Sequence, residues 1–317
     1  MTKGIVRKAR LALLGAAAAL LFSPGAARAA CTLGLTLHNA NPSYSMFNDT
    51  DLGLLVDFEV THGSGEACSY FVTFSYGGSA SYDRRMAKGG DLLSYQLYDT
   101  ASKTNVLKDK IDATNNEVLA GTVTSEETSP EHLTFYLAMP SHQIKPDGSY
   151  SDTVTMTLYQ GTLGGSNTQA DSRGFTITMI LAKQIELCLV DTGAAFDPAD
   201  TAQSLAFGVL VEGASLGFDT RVRTNAGYSM TMVSANHGKL KLIGQSAKAS
   251  TTVDYALKVD DVAKDLSGST AVQVASGSGQ TTTSGIGHHV AVTIGSVTGK
   301  AAGNYEDSIT ISVSTTE

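Results

Sequence analysis

The stretch GSYSDTVTMTL, residues 148–158, returns 155 residues later as GNYEDSITISV, residues 303–313. Both copies alternate apolar residues with Ser, Thr or Asp at a period of two, which is typical of a half-buried β-strand. Clusters of Gly, Ser, Asn and Asp separate further alternating stretches at 54–60, 70–76, 93–97 and 133–139. Short strands with this spacing predict an all-β fold of antiparallel sandwiches.

Other landmarks recur in the same order, which predicts two copies of one domain. The matched pairs are Cys31 with Cys188, Phe58 with Phe218, Tyr70 with Tyr228 and Tyr95 with Tyr255. The alternative is that two Thr-rich strands resemble each other by chance. We predict an N-terminal domain over 30–183 and a C-terminal domain over 184–317, which fits the usual length of a domain.

The first residues predict export from the cytoplasm. Lys3, Arg7, Lys8 and Arg10 precede an apolar run that ends in GAARAAC, which indicates a signal peptide over 1–29. Arg28 argues against lipid attachment at Cys31, because such signals have an apolar residue at that position. Cleavage leaves 17 basic against 30 acidic residues, a balance that excludes nucleic acid as a partner.

The cysteines predict one disulfide. In an oxidising compartment paired thiols are expected, and Cys31 and Cys68 are the candidates within the first copy. The position that matches Cys68 in the second copy is Ala226. Cys188 is then either a buried free thiol or a cysteine that bridges to another chain.

No motif for catalysis, a metal or a cofactor is present in the sequence. The seven histidines lack a zinc-binding spacing, and there is no nucleophile elbow or phosphate-binding loop. Asp152 and Asp307 occupy the repeated Tyr-x-Asp position, which favours a structural hydrogen bond over a catalytic role. We therefore predict that the protein is not an enzyme and binds no cofactor or metal.

Two stretches carry a resemblance to the spore coat protein U domain family, which includes the subunits of archaic chaperone–usher pili. They are GGDLLSYQLYDTASKTNVL, residues 89–107, and the repeated Gly-x-Tyr-x-Asp strand; YALKVD, residues 255–260, extends the resemblance to the second copy. The resemblance implies immunoglobulin-like sandwiches. In that family a sandwich that lacks its last strand is completed by a strand from a periplasmic chaperone or an adjacent pilin subunit.

The two copies differ in the length of chain beyond their shared strand. Residues 174–182, GFTITMILA, supply the first copy with a further strand, whereas only three residues remain after 305–314. We therefore predict that the C-terminal domain lacks its last strand. The alternative is that 174–182 form a linker strand, or the first strand of the second domain, and that both copies are complete in another way.

The resemblance implies a pilus tip adhesin, since Cys31 lies too near the mature N-terminus for a donor strand to precede it. Its expected partners are a periplasmic chaperone, an outer-membrane usher, an adjacent pilin and an unknown surface receptor. It would act in attachment and biofilm formation at the cell surface. The alternatives are a secreted spore-coat-like structural protein without a fibre and a secreted sugar-binding or hydrolytic domain.

Two sets of residues are the candidate sites. Exposed loops far from the C-terminal domain would bind a surface, through Tyr44, Met46 and Phe47 in 41–51 and, as a weaker candidate, through Ile144 in 141–148. The alternative is that Tyr44, Met46 and Phe47 fold back to plug the end of the sandwich. The edge strand of the acceptor groove would comprise Tyr305, Asp307, Ile309, Ile311 and Val313.

Overall fold

The computed structural model describes residues 31–63, 66–124 and 130–316. The predicted signal peptide lies outside the described residues. The described part of the chain is built of β-strands and one short 3-10 turn, Asn115–Glu117, and it contains no helix long and apolar enough to cross a membrane. The expected all-β fold of antiparallel sandwiches is confirmed.

The first sandwich packs two antiparallel sheets around one apolar core. Its strands are β1 (Leu33–Leu37), β2 (Leu52–His62), β3 (Cys68–Phe74), β4 (Arg85–Lys88), β5 (Asp91–Ser94), β6 (Gln96–Tyr98), β7 (Leu119–Val123), β8 (Glu131–Met139), β9 (Gly148–Gly161) and β10 (Asn167–Leu181). One sheet has the order β1-β2-β8-β6 and the other β5-β4-β9-β3-β7, with β10 added beside β9.

Strand β10 closes the first sandwich. It pairs antiparallel with β9 over the whole length of that strand. Its residue Ile177 also forms a bridge with Ala40, just beyond β1 in the other sheet. The inward side chains, which alternate as in the sequence, are fully buried: Phe175, Ile177, Met179 and Leu181 are each at most 1% exposed. Residues 174–182 are therefore a strand of the first sandwich.

In the described residues the second sandwich repeats the central strand order of the first, but no strand takes the position of β10. Its strands are β11 (Ile185–Val190), β12 (Ser215–Thr224), β13 (Tyr228–Ser234), β14 (Lys239–Leu242), β15 (Thr252–Val259), β16 (Val262–Lys264), β17 (Val272–Gly277), β18 (Ile286–Ile294), β19 (Tyr305–Glu306) and β20 (Ile309–Thr315). One sheet has the order β11-β12-β18-β15-β14-β19, with β16 beside β15, and the other β17-β13-β20.

The disulfide between Cys31 and Cys68 ties the start of the first sheet to the start of β3 in the other sheet. The two cysteines are 37 residues apart in sequence. The predicted disulfide is confirmed, and Cys188 is a buried free thiol.

We predict that replacement of both Cys31 and Cys68 by Ser lowers the free energy of unfolding of the first sandwich by about 4 kcal/mol, because a closed loop of this length restricts the unfolded chain. Scanning calorimetry of the mature chain should show an earlier first-sandwich transition and an unchanged second one. An unaltered first transition would contradict a stabilising role for the disulfide.

Candidate functional site

Strand β20 is paired on one edge only. It runs antiparallel to β13, from Ile309 opposite Ser234 to Thr315 opposite Tyr228. No other strand in the described parts of the chain pairs with β20. In the first sandwich the corresponding strand, β9, has β3 on one edge and β10 on the other. The edge of β20 that corresponds to the β10 side of β9 therefore leaves backbone groups without a ladder partner.

A groove of about 880 Å³ opens between the sheets of the second sandwich. Ile309 and Ile311 of β20 line it, and Val290 and Val292 of β18 belong to the opposite sheet. Tyr305 and Asp307 lie at the same groove, which brings together four of the five residues predicted for the acceptor strand. The fifth, Val313, packs against the core without lining the groove.

Burial differs sharply between the corresponding strands. Val154 and Met156 of β9 are fully buried, at 0% exposure. Their counterparts Ile309 and Ile311 in β20 are only half-buried. The corresponding apolar side chains are therefore enclosed by a complete core in the first sandwich and remain partly exposed in the second.

The repeated Tyr-x-Asp position makes the same hydrogen bond twice. Tyr95 Oη donates to Asp152 Oδ2 at 2.6 Å, and Tyr255 Oη donates to Asp307 Oδ2 at 2.6 Å. Each aspartate also accepts a backbone N–H from the loop after the neighbouring strand, from Gly78 at 2.8 Å and from Asn236 at 3.0 Å. Both aspartates therefore join the two sheets of a sandwich, as expected for a structural role.

Burial raises the pKa of both tyrosines above the ordinary value of 10.0, and the hydrogen-bonded carboxylate raises it further. The first pair lies in a closed core, with Tyr95 3% and Asp152 8% exposed. The second pair is half-buried beside the open groove.

The loop that contains Tyr44, Met46 and Phe47 does not form an exposed apolar tip. Tyr44 is 5% exposed and donates a hydrogen bond to the Pro140 carbonyl at 2.8 Å, and Met46 is 0% exposed. Ile144 also packs against the first core. The expectation of an exposed apolar tip was wrong for Tyr44 and Met46, and the alternative, that the 41–51 loop folds back onto the sandwich, is the one observed.

This loop lies against the second sandwich and not at the far end of the first. The guanidinium of Arg223 stacks between the rings of Phe47, at 4.7 Å, and Phe196, at 4.4 Å, and its Nη2 donates to Glu186 Oε2 at 2.6 Å. Ser45 donates to Gln184 in the chain segment between β10 and β11. The apolar loop residues thus serve the junction between the sandwiches.

The strand register corrects one of the sequence matches. Leu37 pairs with Phe58 in the first sandwich, whereas Val190 pairs with Asp219, one residue beyond Phe218, in the second. If Phe58 corresponds to Phe218, Cys31 corresponds to Ile185 and not to Cys188. Cys188 is therefore not the counterpart of a disulfide cysteine.

The neighbouring histidines 288 and 289 point to opposite faces of β18. His288 is buried and hydrogen-bonds to Tyr228 Oη at 2.7 Å and to Asp260 Oδ2 at 2.6 Å. His289 Nδ1 bonds outward to Asp219. In the described residues no group of three or more His, Cys, Asp or Glu is placed to hold a metal ion. These histidines connect strands.

Residues 26–157 match the family model of the Spore Coat Protein U domain. The match to the spore coat protein U domain ends within β9, before β10 and the second sandwich. The resemblance of the second copy to that family stays a prediction. No curated protein matches the sequence.

Solved structures to which the chain is similar include tip adhesins of bacterial pili, at low identity. In the CsuC–CsuE chaperone–tip adhesion subunit complex from the archaic chaperone–usher Csu pili of Acinetobacter baumannii, identity is 14%, coverage is 90% of this chain and 99% of that chain, and the TM-score is 0.44. For the CupB6 tip adhesin of Pseudomonas aeruginosa, identity is 10%, coverage is 90% of this chain and 96% of that chain, and the TM-score is 0.38. For CfaE, the adhesive subunit of CFA/I fimbria of enterotoxigenic Escherichia coli, identity is 13%, coverage is 88% of this chain and 92% of that chain, and the TM-score is 0.33.

The repeated tyrosine–aspartate pair generates a prediction for alkaline pH. Because folding raises the pKa of Tyr95 and Tyr255, their contribution to stability is complete below pH of about 10, the unfolded value, and is lost as pH rises through the folded values. Replacement of Tyr255 by Phe should cost the second sandwich about 2 kcal/mol at neutral pH and flatten its stability loss above pH 10.

The matched control is the replacement of Tyr95 by Phe, which should shift only the first-sandwich transition. Calorimetry between pH 7 and pH 11 measures both. Equal alkaline sensitivity of the second sandwich with and without Tyr255 would contradict the assignment.

Proposed function

We propose that the chain is a pilus tip adhesin in which the first sandwich contacts a surface and the second accepts a β-strand from another protein. The observation that carries this proposal is the unpaired edge of β20 above an apolar groove, in the position where β9 has β10.

The first sandwich supplies a template for the strand that the groove takes. Phe175 of β10 lies opposite Val154, and Met179 lies opposite Tyr150. In the sequence repeat Val154 corresponds to Ile309 and Tyr150 corresponds to Tyr305, and the shared tyrosine–aspartate hydrogen bond supports this alignment. Ile309 and Tyr305 both line the groove. An extended segment with alternating large apolar residues therefore fits the chemistry of the groove.

The proposed partners are inferred from the cost of leaving this edge uncovered. An unpaired strand edge beside an apolar groove promotes edge-to-edge aggregation. A periplasmic chaperone that adds a strand protects the domain after export, and an adjacent pilin subunit takes its place during assembly at an outer-membrane usher. The first sandwich already holds β10 and needs no such partner.

The free end of the first sandwich is the proposed contact surface, because the loop with Tyr44 and Phe47 faces the second sandwich. At the opposite end β2 finishes at His62, β8 begins at Glu131, and β9 and β10 are joined by residues 162–166. Loops carried on a rigid sandwich are suited to recognition. Attachment through this end would place the protein at the cell surface and support biofilm growth.

The family match itself favours a second candidate, a secreted coat-layer protein that works without a fibre. Such a protein would not depend on a chaperone. Expression of residues 30–317 in the periplasm, with and without the pilus chaperone of the same organism, separates the two candidates. The adhesin predicts a soluble yield that rises severalfold with the chaperone, whereas a yield that is the same with and without it supports the coat protein.

We predict that residues 162–182, appended after Thr316, stabilise the second sandwich. This fusion reproduces the hairpin that joins β9 to β10, since Thr316 corresponds to Gly161. Each large apolar side chain that becomes fully buried contributes about 1.5–3 kcal/mol, so the transition of the second sandwich should move to higher temperature by several degrees or more. Calorimetry measures the shift, and binding of a hydrophobic dye should fall.

The matched control carries the same fusion with Ser in place of the appended copies of Phe175, Ile177 and Met179. It adds the same length of chain without the apolar side chains. A fusion that stabilises no more than this control would contradict the acceptor groove.

A further inference from the structure

A segment of the chain already lies in the groove of the second sandwich. Residues 201–210, which we call the strap, belong to the connection between β11 and β12 and have no regular secondary structure. Leu205 and Phe207 pack against the second core, and both line the same groove as Ile309 and Ile311. The exposed residues Ser204 and Ala206 alternate with them. The strap therefore presents two apolar side chains to the groove as a β-strand would.

The strap is held weakly between firmly attached ends. Before it, Leu189 N donates to Asp200 O at 2.8 Å, and after it Gly213 N donates to Ile294 O at 2.9 Å. Within the described chain no backbone–backbone hydrogen bond involves residues 201–210. Among the described residues its side chains make one hydrogen bond, from Gln203 Nε2 to the Leu189 carbonyl. Apolar packing of side chains, and not a ladder, keeps the strap in place.

The alternation ends at Gly208, which has a φ of 65°. This left-handed conformation breaks the alternation, so that Val209 stands at the rim of the groove and is 87% exposed. The strap therefore covers only part of the groove, which agrees with the incomplete burial of Ile309 and Ile311.

The corresponding connection in the first sandwich is shorter and has a different role. Residues 38–51 join β1 to β2, whereas 191–214 join β11 to β12. The shorter connection places Met46 in the first core, which β10 closes. The longer one has enough chain to enter an open groove and to leave it again.

We propose that the strap is a built-in occupant of the acceptor groove, and that an incoming strand displaces Leu205 and Phe207. This inference rests on the proposed function and adds a conformational step to it. An incoming strand forms backbone hydrogen bonds with β20 and fills the groove with its own apolar side chains, whereas the strap offers side chains alone. Exchange of the strap for a strand therefore adds backbone hydrogen bonds along β20 and replaces the two apolar side chains of the strap by those of the strand.

The displacement can be measured because the chain contains no tryptophan. The variant Phe207→Trp carries a single tryptophan in the groove, and Val209→Trp carries a single tryptophan at its exposed rim; excitation at the red edge of the tryptophan absorption avoids the tyrosines. In the mature chain the emission of Trp at 207 is expected at shorter wavelength than that of Trp at 209. Addition of a peptide with the sequence 173–182, RGFTITMILA, should shift the emission of Trp at 207 to longer wavelength, towards that of Trp at 209. The emission of Trp at 209 should not change.

Peptide binding is measured separately, by the fluorescence anisotropy of a label on the peptide. If the peptide binds and the emission of Trp at 207 stays the same or moves to shorter wavelength, the strap has not left the groove. That result would overturn the displacement of the strap and leave the proposed function standing. If the peptide does not bind, the acceptor groove itself fails, and the displacement with it.

A second measurement needs no new fluorophore. In the unsubstituted chain, chymotrypsin should cleave after Leu205 and Phe207 faster when the peptide is bound. Replacement of both residues by Ser should raise the rate of peptide association severalfold, while replacement of Val209 and Val211 by Ser, a matched loss of exposed apolar side chains, should not. Slower association after the first replacement would overturn the proposal.

Discussion

A central strand of a sandwich has a partner on each edge and a cover over its apolar face, and the behaviour of this chain depends on which of its two equivalent strands, β9 or β20, has both. Unpaired backbone groups and open apolar grooves invite other chains to pair. In the first sandwich β10 meets the requirement and buries Phe175 and Ile177 completely. In the second sandwich β20 is paired with β13 alone.

The two sandwiches are otherwise built on the same internal links, so the difference at this edge is informative. The bond from Tyr95 to Asp152 recurs from Tyr255 to Asp307 with the same length. What changes is burial, which is complete around Asp152 and partial around Asp307. The second domain is therefore folded as far as its own strands allow, and we propose that another protein supplies the rest.

The sequence predicts those features that depend on local pattern. Period-two alternation placed the strands, and the repeat placed Asp152 and Asp307 in equivalent structural roles. It could not place the side chain of Phe47, because its position depends on Arg223 in the other sandwich. Cys188 was aligned by residue type, whereas its register is set by hydrogen bonds to β12. The strap lacks both a repeat and a regular period, so its place in the groove appears only in the folded chain.

Amide hydrogen exchange of the mature chain without any partner tests the central claim most directly. Exchange rates report whether a backbone amide has a stable hydrogen-bond partner. If the edge of β20 is open, the alternate amides of Ile309–Thr315 that face away from β13 exchange quickly, while all amides of Thr153–Leu158 in β9 are protected. Equal protection of both edges of β20 would contradict the account, because it would mean that the second sandwich is already complete.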